Sequence, residues 1–134
     1  MALYEVGAGQ PSTFIAGADL SAKQWFLVEL TAKDTVNATN AATDRAIGIL
    51  LNAPASGQEA RVQLFGSRMK VASDGSGTAI AVGDFIGPGS AGKAVKKATA
   101  DYSTVGIAND ISSADGTVIE IITGVGSVFR TAAG

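Results

Sequence analysis

The sequence predicts an all-β protein, a compact antiparallel β-barrel or sandwich of two similar halves with at most one or two short helices. The first observation is that apolar residues recur mainly with a period of two. In Glu59–Phe65, for example, Val62 and Leu64 face one side of a strand. The second is that such runs are short and separated by turn sequences at close spacing, which is typical of barrels and sandwiches. The third is that the chain repeats its own pattern.

The predicted strands follow one another along the chain. Gln24–Leu30 is apolar on both faces until Glu29, which is typical of a strand buried on both sides. Asp-Gly pairs in Ser73–Gly77 and Ser113–Gly116 supply the positive φ angles of tight turns. Further short runs with β character lie at Ile47–Leu51, Glu59–Phe65, Met69–Ala72, Asp84–Ile86, Ala94–Lys97, Val105–Ala108 and Thr117–Thr123.

Helical character is confined to two segments. Ala18–Gln24 predicts a single helical turn with Asp19 or Ser21 as its N-cap. Thr39–Ala46 is either another such turn or an ordinary loop. The sequence therefore offers no helix long enough to form a layer of the fold.

An internal repeat divides the chain. Ala46–Gly66 is similar to Thr104–Gly124, because each runs from an apolar residue, Gly and Ile through a polar turn into an alternating strand. Upstream, Ala16–Val28 loosely matches Ala81–Val95. Two copies are too few for a solenoid. The repeat therefore predicts two β-rich halves wrapped into one compact barrel.

The composition excludes several kinds of chemistry and of binding partner. The 134 residues include no Cys and no His, which removes thiolate chemistry and the commonest general base and metal ligand. Lys and Arg number 10 against 12 Asp and Glu, and no basic run exceeds Lys96-Lys97, so nothing is clustered to bind nucleic acid. No stretch has the length of a membrane span. We expect no enzyme activity, no metal or other cofactor, and neither a nucleic acid nor a membrane as partner.

Gly87–Val95 raises the question of catalysis. It reads G-x-x-x-x-G-K, close to the phosphate-binding loop of nucleotide hydrolases. That loop needs a Ser or Thr after the lysine for Mg²⁺ and a helix N-terminus facing the phosphates. Here Ala94 follows Lys93, and no helix is predicted. Pro88 and the glycines fit a tight turn instead, with Lys93 as a solvated residue at a strand start. Nucleotide binding remains a remote alternative.

Other candidate chemistry is sparse. Asp84 and Asp110 lie near the ends of predicted strands and could meet as a carboxylate pair for acid–base work. Asp in such positions more often serves turns. The aromatic residues Trp25, Phe26 and Phe85 are predicted as core rather than as a ligand platform.

Several segments together resemble the small capsid cement or decoration proteins of tailed bacteriophages, catalogued as the phage domain family DUF2190. The resemblance spans Phe14 to Thr123, whereas the loop Thr35–Arg45 and the tail after Gly124 depart from it. The motifs that carry it are the openings Ala18-Asp19-Leu20 and Gly83-Asp84-Phe85 and the strands Ile47-Gly48-Ile49 and Val105-Gly106-Ile107.

The resemblance implies a structural virion protein that binds the outer surface of an assembled icosahedral head and stabilises it, with the major capsid protein as partner. It implies a homo-oligomer, with a trimer favoured and a dimer possible. The protein would be made in the host cytoplasm and end on the outer surface of the capsid. A host-binding fibre or adhesin module is the alternative. Such a module needs an exposed aromatic platform for glycan, and only Tyr102 and Tyr4 are candidates.

The N-terminal segment is assigned as an extended arm, residues 1–13, ahead of a single β-rich domain, residues 14–134. Leu3, Tyr4 and Val6 precede flexible glycines and are candidate capsid or intersubunit contacts. We expect the arm to order on a neighbouring subunit by adding a short strand to its sheet. Alternatively, Leu3–Val6 is the first strand of the protein's own barrel.

Overall fold

The computed structural model describes residues 11–97 and 103–124, and these ranges are all-β, as predicted. Ala18–Gln24 forms turns rather than a helix, and the Ser21 N–H donates to the Asp19 carboxylate at 3.1 Å. The pKa of Asp19 is held below its ordinary value by a hydrogen bond with the Ser21 hydroxyl, which has the larger effect, and by the bond from this N–H.

The strands are β1 (Pro11–Ala16), β2 (Leu27–Ala32), β3 (Thr35–Ala38), β4 (Ala46–Leu50), β5 (Glu59–Leu64), β6 (Arg68–Asp74), β7 (Phe85–Pro88), β8 (Ala94–Lys96), β9 (Gly106–Ala108) and β10 (Asp115–Thr123).

Each half of the chain closes into a barrel of its own. The first barrel has the strand order β1-β3-β2-β4-β5, and the second has β6-β8-β7-β9-β10. Adding five to each strand number of the first barrel gives the strand order of the second. In each barrel the first and third strands run parallel and the remaining neighbours run antiparallel. The predicted all-β fold of two similar halves is confirmed. The prediction that both halves wrap into one barrel is wrong, because each half closes its own ring of five strands.

Equivalent backbone hydrogen bonds fix which residues correspond between the barrels. They show that residues 25–27 correspond to residues 83–85, so the looser sequence match of Ala16–Val28 with Ala81–Val95 is wrong by several residues. The bonds are Trp25 N–H to Leu50 O (2.7 Å) and Gly83 N–H to Ala108 O (2.8 Å), with Leu50 N–H to Phe26 O and Ala108 N–H to Asp84 O (both 2.9 Å).

Two glycines occupy the same place in the two barrels, Gly48 in β4 and Gly106 in β9. A Cβ at Gly48 would lie 2.3 Å from the carbonyl oxygen of Gln63, and a Cβ at Gly106 would lie 2.3 Å from that of Ile122. Neither position can carry a side chain unless the neighbouring strand moves. This close approach explains why the apolar-Gly-Ile motif appears in both halves.

Two buried clusters hold the fold together. Leu27 and Ile49 alternate along their strands with Val28 and Leu50, so they point out of the first barrel and into the cluster of the second. The barrels therefore share a core at their junction. The first cluster contains Ala16, Leu20, Val28, Val36, Leu50, Ala60 and Val62. The second contains Leu27, Ile49, Met69, Val71, Ile80, Ile86, Ala94, Val105, Ala108, Ile119 and Ile121.

The linker between the barrels consists of residues 65–67, between β5 and β6. The Thr123 hydroxyl accepts the N–H groups of Gly66 at 2.8 Å and Ser67 at 3.2 Å, and it lies 2.9 Å from the Ser67 carbonyl oxygen. The Thr123 N–H also donates to that carbonyl at 3.0 Å. The last strand of the second barrel thus clamps the linker.

The structure corrects two boundaries. β1 begins at Pro11 and pairs with β5 from Pro11 to Ile15, so residues 11–13, assigned to the arm, belong to the first barrel. β3 lies within Thr35–Arg45, which the sequence predicts as a loop. Its four residues, Thr35–Ala38, are mostly small or polar, and the strand is fixed by pairing with β1 and β2 rather than by a hydrophobic period.

Candidate functional site

The glycine loop is a turn between two antiparallel strands. β7 ends at Pro88, β8 begins at Ala94, and these two residues pair directly. The Gly89 N–H closes the turn on the Lys93 carbonyl at 3.0 Å, and Gly92 has a φ of 79°. The chain continues into strand β8 rather than a helix, so no helix N-terminus faces the loop. The interpretation of this segment as a tight turn is confirmed.

The loop packs against the first barrel. The Leu27 N–H donates to the Gly92 carbonyl at 2.9 Å. A Cβ on Gly92 would lie 2.8 Å from Cδ2 of Phe26 and 3.1 Å from the carbonyl oxygen of Thr39. Gly92 therefore supplies both the positive φ and the close approach that this contact between barrels requires.

Lys93 is not the solvated residue that the sequence suggested. Its side chain is 20% exposed, and its Nζ lies 2.7 Å from Oδ1 of Asp115. The same Nζ lies 5.7 Å from the centre of the Phe26 ring. The prediction is wrong because the turn folds back onto the first barrel instead of projecting into water. Lys93 has a structural role at the junction.

Asp84 and Asp110 serve different backbone segments. Oδ2 of Asp84 accepts the Ala81 N–H at 2.8 Å and lies 3.6 Å from Nζ of Lys96. Oδ2 of Asp110 accepts the Glu120 N–H at 3.4 Å. The interpretation as turn residues is therefore supported over that of an acid–base pair.

The residues that the structure describes include no group of three or more His, Cys, Asp or Glu side chains placed to hold a metal ion. Within the same ranges, no helix has the length and apolar character needed to span a membrane.

A groove with a volume of about 400 Å³ lies at the junction of the barrels. Trp25, predicted as a core residue, is half-buried. It packs against the second core cluster and also lines the groove. A correct alignment of the repeat would have set Trp25 opposite Gly83 and marked it as unusual. The other residues that line the groove are Leu51, Gln63, Arg68, Met69, Lys70 and Glu120.

Exposed aliphatic side chains are concentrated on the second barrel. The two most exposed, Ile111 at 70% and Val82 at 64%, lie on the two segments joined by the bridge between Ile80 and Ser112. The period-two pattern did not indicate them because both lie in loops. Among the residues that the structure describes, the exposed large aliphatic side chains are Ile15 and Leu30 in the first barrel and Val82, Ile111, Val118 and Ile122 in the second.

The predicted contact residues Leu3, Tyr4 and Val6 lie outside the described residues, as does Tyr102. The hypothesis that the N-terminal segment acts as a clasp stays a prediction.

Comparison with known proteins identifies the architecture. No family model matches the chain and no curated protein sequence matches it, so the family suggested by the sequence motifs is not confirmed. Among solved structures, the chain is similar to the N base of the head fibre gp8.5 of bacteriophage phi29, with a TM-score of 0.63 and 18% sequence identity. The match covers 85% of this chain and 92% of that chain. The fold is similar to that of a phage head-fibre base.

Proposed function

We propose that the protein is a structural component of a bacteriophage virion that binds the outer surface of an assembled head and stabilises it. The main support is the fold, which is similar to the phi29 head-fibre base over 85% of this chain and 92% of that one. The sequence motifs that resemble decoration proteins point the same way. The partner is the major capsid protein, and a homo-oligomer, with a trimer favoured, lets one particle contact several shell subunits at once.

The surface suits binding through apolar contacts rather than charge. Only 16% of residues are charged. Of the aliphatic side chains in residues 11–97 and 103–124, the most exposed, Val82 and Ile111, lie on one end of the second barrel. Burying such side chains contributes about 25 cal/mol per Å² of apolar surface. We propose that this end faces the shell and that the protein has no catalytic role.

A second candidate is a host-binding fibre or adhesin module. It is favoured by the same comparison, because the similar structure is the base of a fibre. The two candidates differ in what the purified protein binds, which is assembled heads in one case and host cells in the other.

Cosedimentation with heads assembled without this protein tests the proposal. We expect saturable binding that changes little between low and moderate salt, together with heads that resist heating better. Val82→Ser and Ile111→Ser should weaken binding, whereas Ile15→Ser, which alters an exposed residue of the first barrel, should not. Binding to host cells without binding to heads would favour the fibre module, and binding to neither would contradict both.

A further inference from the structure

Trp25 adopts a backbone conformation that tryptophan rarely occupies. Its φ is 74°, in the left-handed region. The corresponding residue of the second barrel is Gly83, with a φ of 94°, where an added Cβ would meet nothing within 4 Å. The turn requires positive φ in both barrels, and glycine meets that requirement without strain. The first barrel has a bulky aromatic side chain at this position instead.

Backbone hydrogen bonds hold the main chain at Trp25, and packing positions its indole. The Ala72 N–H donates to the Trp25 carbonyl at 2.9 Å, and the Trp25 N–H donates to the Leu50 carbonyl at 2.7 Å. The side chain packs against the second core cluster and lines the groove at the junction. A half-buried indole is thus fixed in the groove, next to side chains that form hydrogen bonds.

The charged side chains that line the groove differ in whether they form an ion pair. Oε1 of Glu120 accepts a hydrogen bond from Nδ2 of Asn109 at 2.6 Å and lies 3.3 Å from Nη2 of Arg68. Lys70 lies opposite Glu120 in the β6–β10 ladder. None of the ion pairs formed by the described residues includes Lys70. The groove therefore contains a cation available to a ligand beside a fixed aromatic ring.

We propose that this groove binds an acidic saccharide, with a pyranose ring stacked on Trp25 and an anionic substituent contacting Lys70. The C–H face of a pyranose is apolar and matches the face of an indole, whereas its hydroxyl groups need partners such as Gln63 and Arg68. An apolar ligand would require a deeper pocket lined mainly by hydrophobic side chains. This role is independent of head binding.

Trp25 is the only tryptophan of the chain, so its fluorescence reports on this groove alone. The probes are a tetrasaccharide of alternating glucuronate and N-acetylglucosamine, a neutral N-acetylglucosamine tetrasaccharide, and polyglutamate. The acidic tetrasaccharide should give a saturable fluorescence change and measurable heat in calorimetry. The neutral one should bind more weakly, and polyglutamate should leave the fluorescence unchanged.

Two variants test the assignment by calorimetry. Lys70→Gln should weaken binding of the acidic tetrasaccharide about two- to fivefold, as expected for an exposed ion pair. Lys33→Gln, which alters a lysine 91% exposed in the first barrel, should have no effect. Trp25→Gly should abolish binding. If Trp25→Gly unfolds the protein, the Lys70→Gln variant still tests the proposal.

The proposal is overturned if neither tetrasaccharide gives a saturable response, or if polyglutamate acts like the acidic sugar. Equal binding of the neutral and acidic sugars, or a Lys70→Gln variant that binds normally, would overturn the acidic assignment.

Discussion

The two barrels share a strand order and the glycines that make it possible, but they differ where the first barrel meets the second. Gly48 and Gly106 are equivalent and meet the same obstacle, a carbonyl oxygen of the opposite strand. Trp25 and Gly83 are equivalent in backbone but not in surroundings, since only Trp25 packs against the neighbouring barrel. The shared glycines are thus needed for closing each barrel, whereas the unmatched Trp25 serves the junction.

A second difference lies beside the last strand of each barrel. In the first barrel, the Asn52 side chain accepts the Arg61 N–H and donates to the Glu59 carbonyl, both at 3.0 Å. Asp110 holds the corresponding place in the second barrel and accepts the Glu120 N–H at 3.4 Å. An ionised carboxylate cannot donate, so the carbonyl at the equivalent position there, that of Val118, receives no such bond. Asn52 thus makes two side-chain hydrogen bonds to β5, whereas Asp110 makes one to β10.

The largest expected effect tests whether both barrels need their glycine. Gly48→Ala and Gly106→Ala should each lower the free energy of unfolding by about 3 kcal/mol or more, because the new Cβ collides with backbone rather than with a mobile side chain. Gly77→Ala is the control, since a Cβ there meets nothing within 4 Å. Urea unfolding followed by circular dichroism measures the loss. A mild effect at one site alone would show that the barrels are not equivalent.

The next prediction concerns the shared core. Ile49→Ala should cost about 2–5 kcal/mol, as much as Leu50→Ala, because both side chains are fully buried although they face different clusters. Both variants should unfold in a single transition when Trp25 fluorescence and circular dichroism are compared. Two separate transitions would mean that the barrels fold independently.

Much of this comparison could be read from the sequence, and part of it could not. The repeat from Ala46 to Gly66 and from Thr104 to Gly124 was visible because the glycine contact imposes the same residue type twice. The packing of Trp25, Ile49 and Lys93 was not visible. Each depends on how one barrel sits on the other, and neither periodicity nor turn chemistry carries that information. Apolar residues on both faces of Gln24–Leu30 were the one sequence sign of a second contact surface.

Lys93 tests the contribution of the glycine loop to the junction. Lys93→Ala should lower stability by about 1 kcal/mol, because it removes a partly buried ion pair with Asp115 and the cation from the Phe26 ring. Lys33→Ala, at a side chain 91% exposed, should change nothing measurable. ATP with Mg²⁺ should not raise the melting temperature. A rise with ATP that Lys93→Ala removes would restore the nucleotide interpretation.

Exchanging Asn52 and Asp110 between the barrels should reverse the difference in side-chain hydrogen bonding beside β5 and β10. Asp110→Asn supplies the missing donor and should stabilise the protein by about 0.5–1 kcal/mol, whereas Asn52→Asp should destabilise it by a similar amount. Thermal unfolding of both single variants and the double exchange measures this. The same sign for both variants would refute the explanation.

The smallest effect is the pH dependence that Glu29 gives to the stability of the first barrel. Burial, and then the neighbouring Asp44, raise the pKa of Glu29 above its ordinary value of 4.5. The folded protein therefore holds this proton more tightly than the unfolded chain does. The free energy of unfolding falls as pH rises through this raised pKa. Glu29→Gln should match the parent at low pH and exceed it in stability at neutral pH. The corresponding residue of the second barrel is Gly87, which has no such group.

An equal effect of Glu29→Gln on unfolding at both pH values would contradict this explanation. Glu59→Gln, which alters a carboxylate on an exposed residue of the same barrel, serves as the control.

The clamped linker has a mechanical consequence. Residues 65–67 are held by Thr123 at the end of β10, and the shared core packs the two barrels against each other. A displacement imposed on one barrel is therefore transmitted to the other as a rigid rotation, not absorbed by bending. If one barrel is anchored to a surface, the other barrel therefore keeps a fixed orientation relative to that surface.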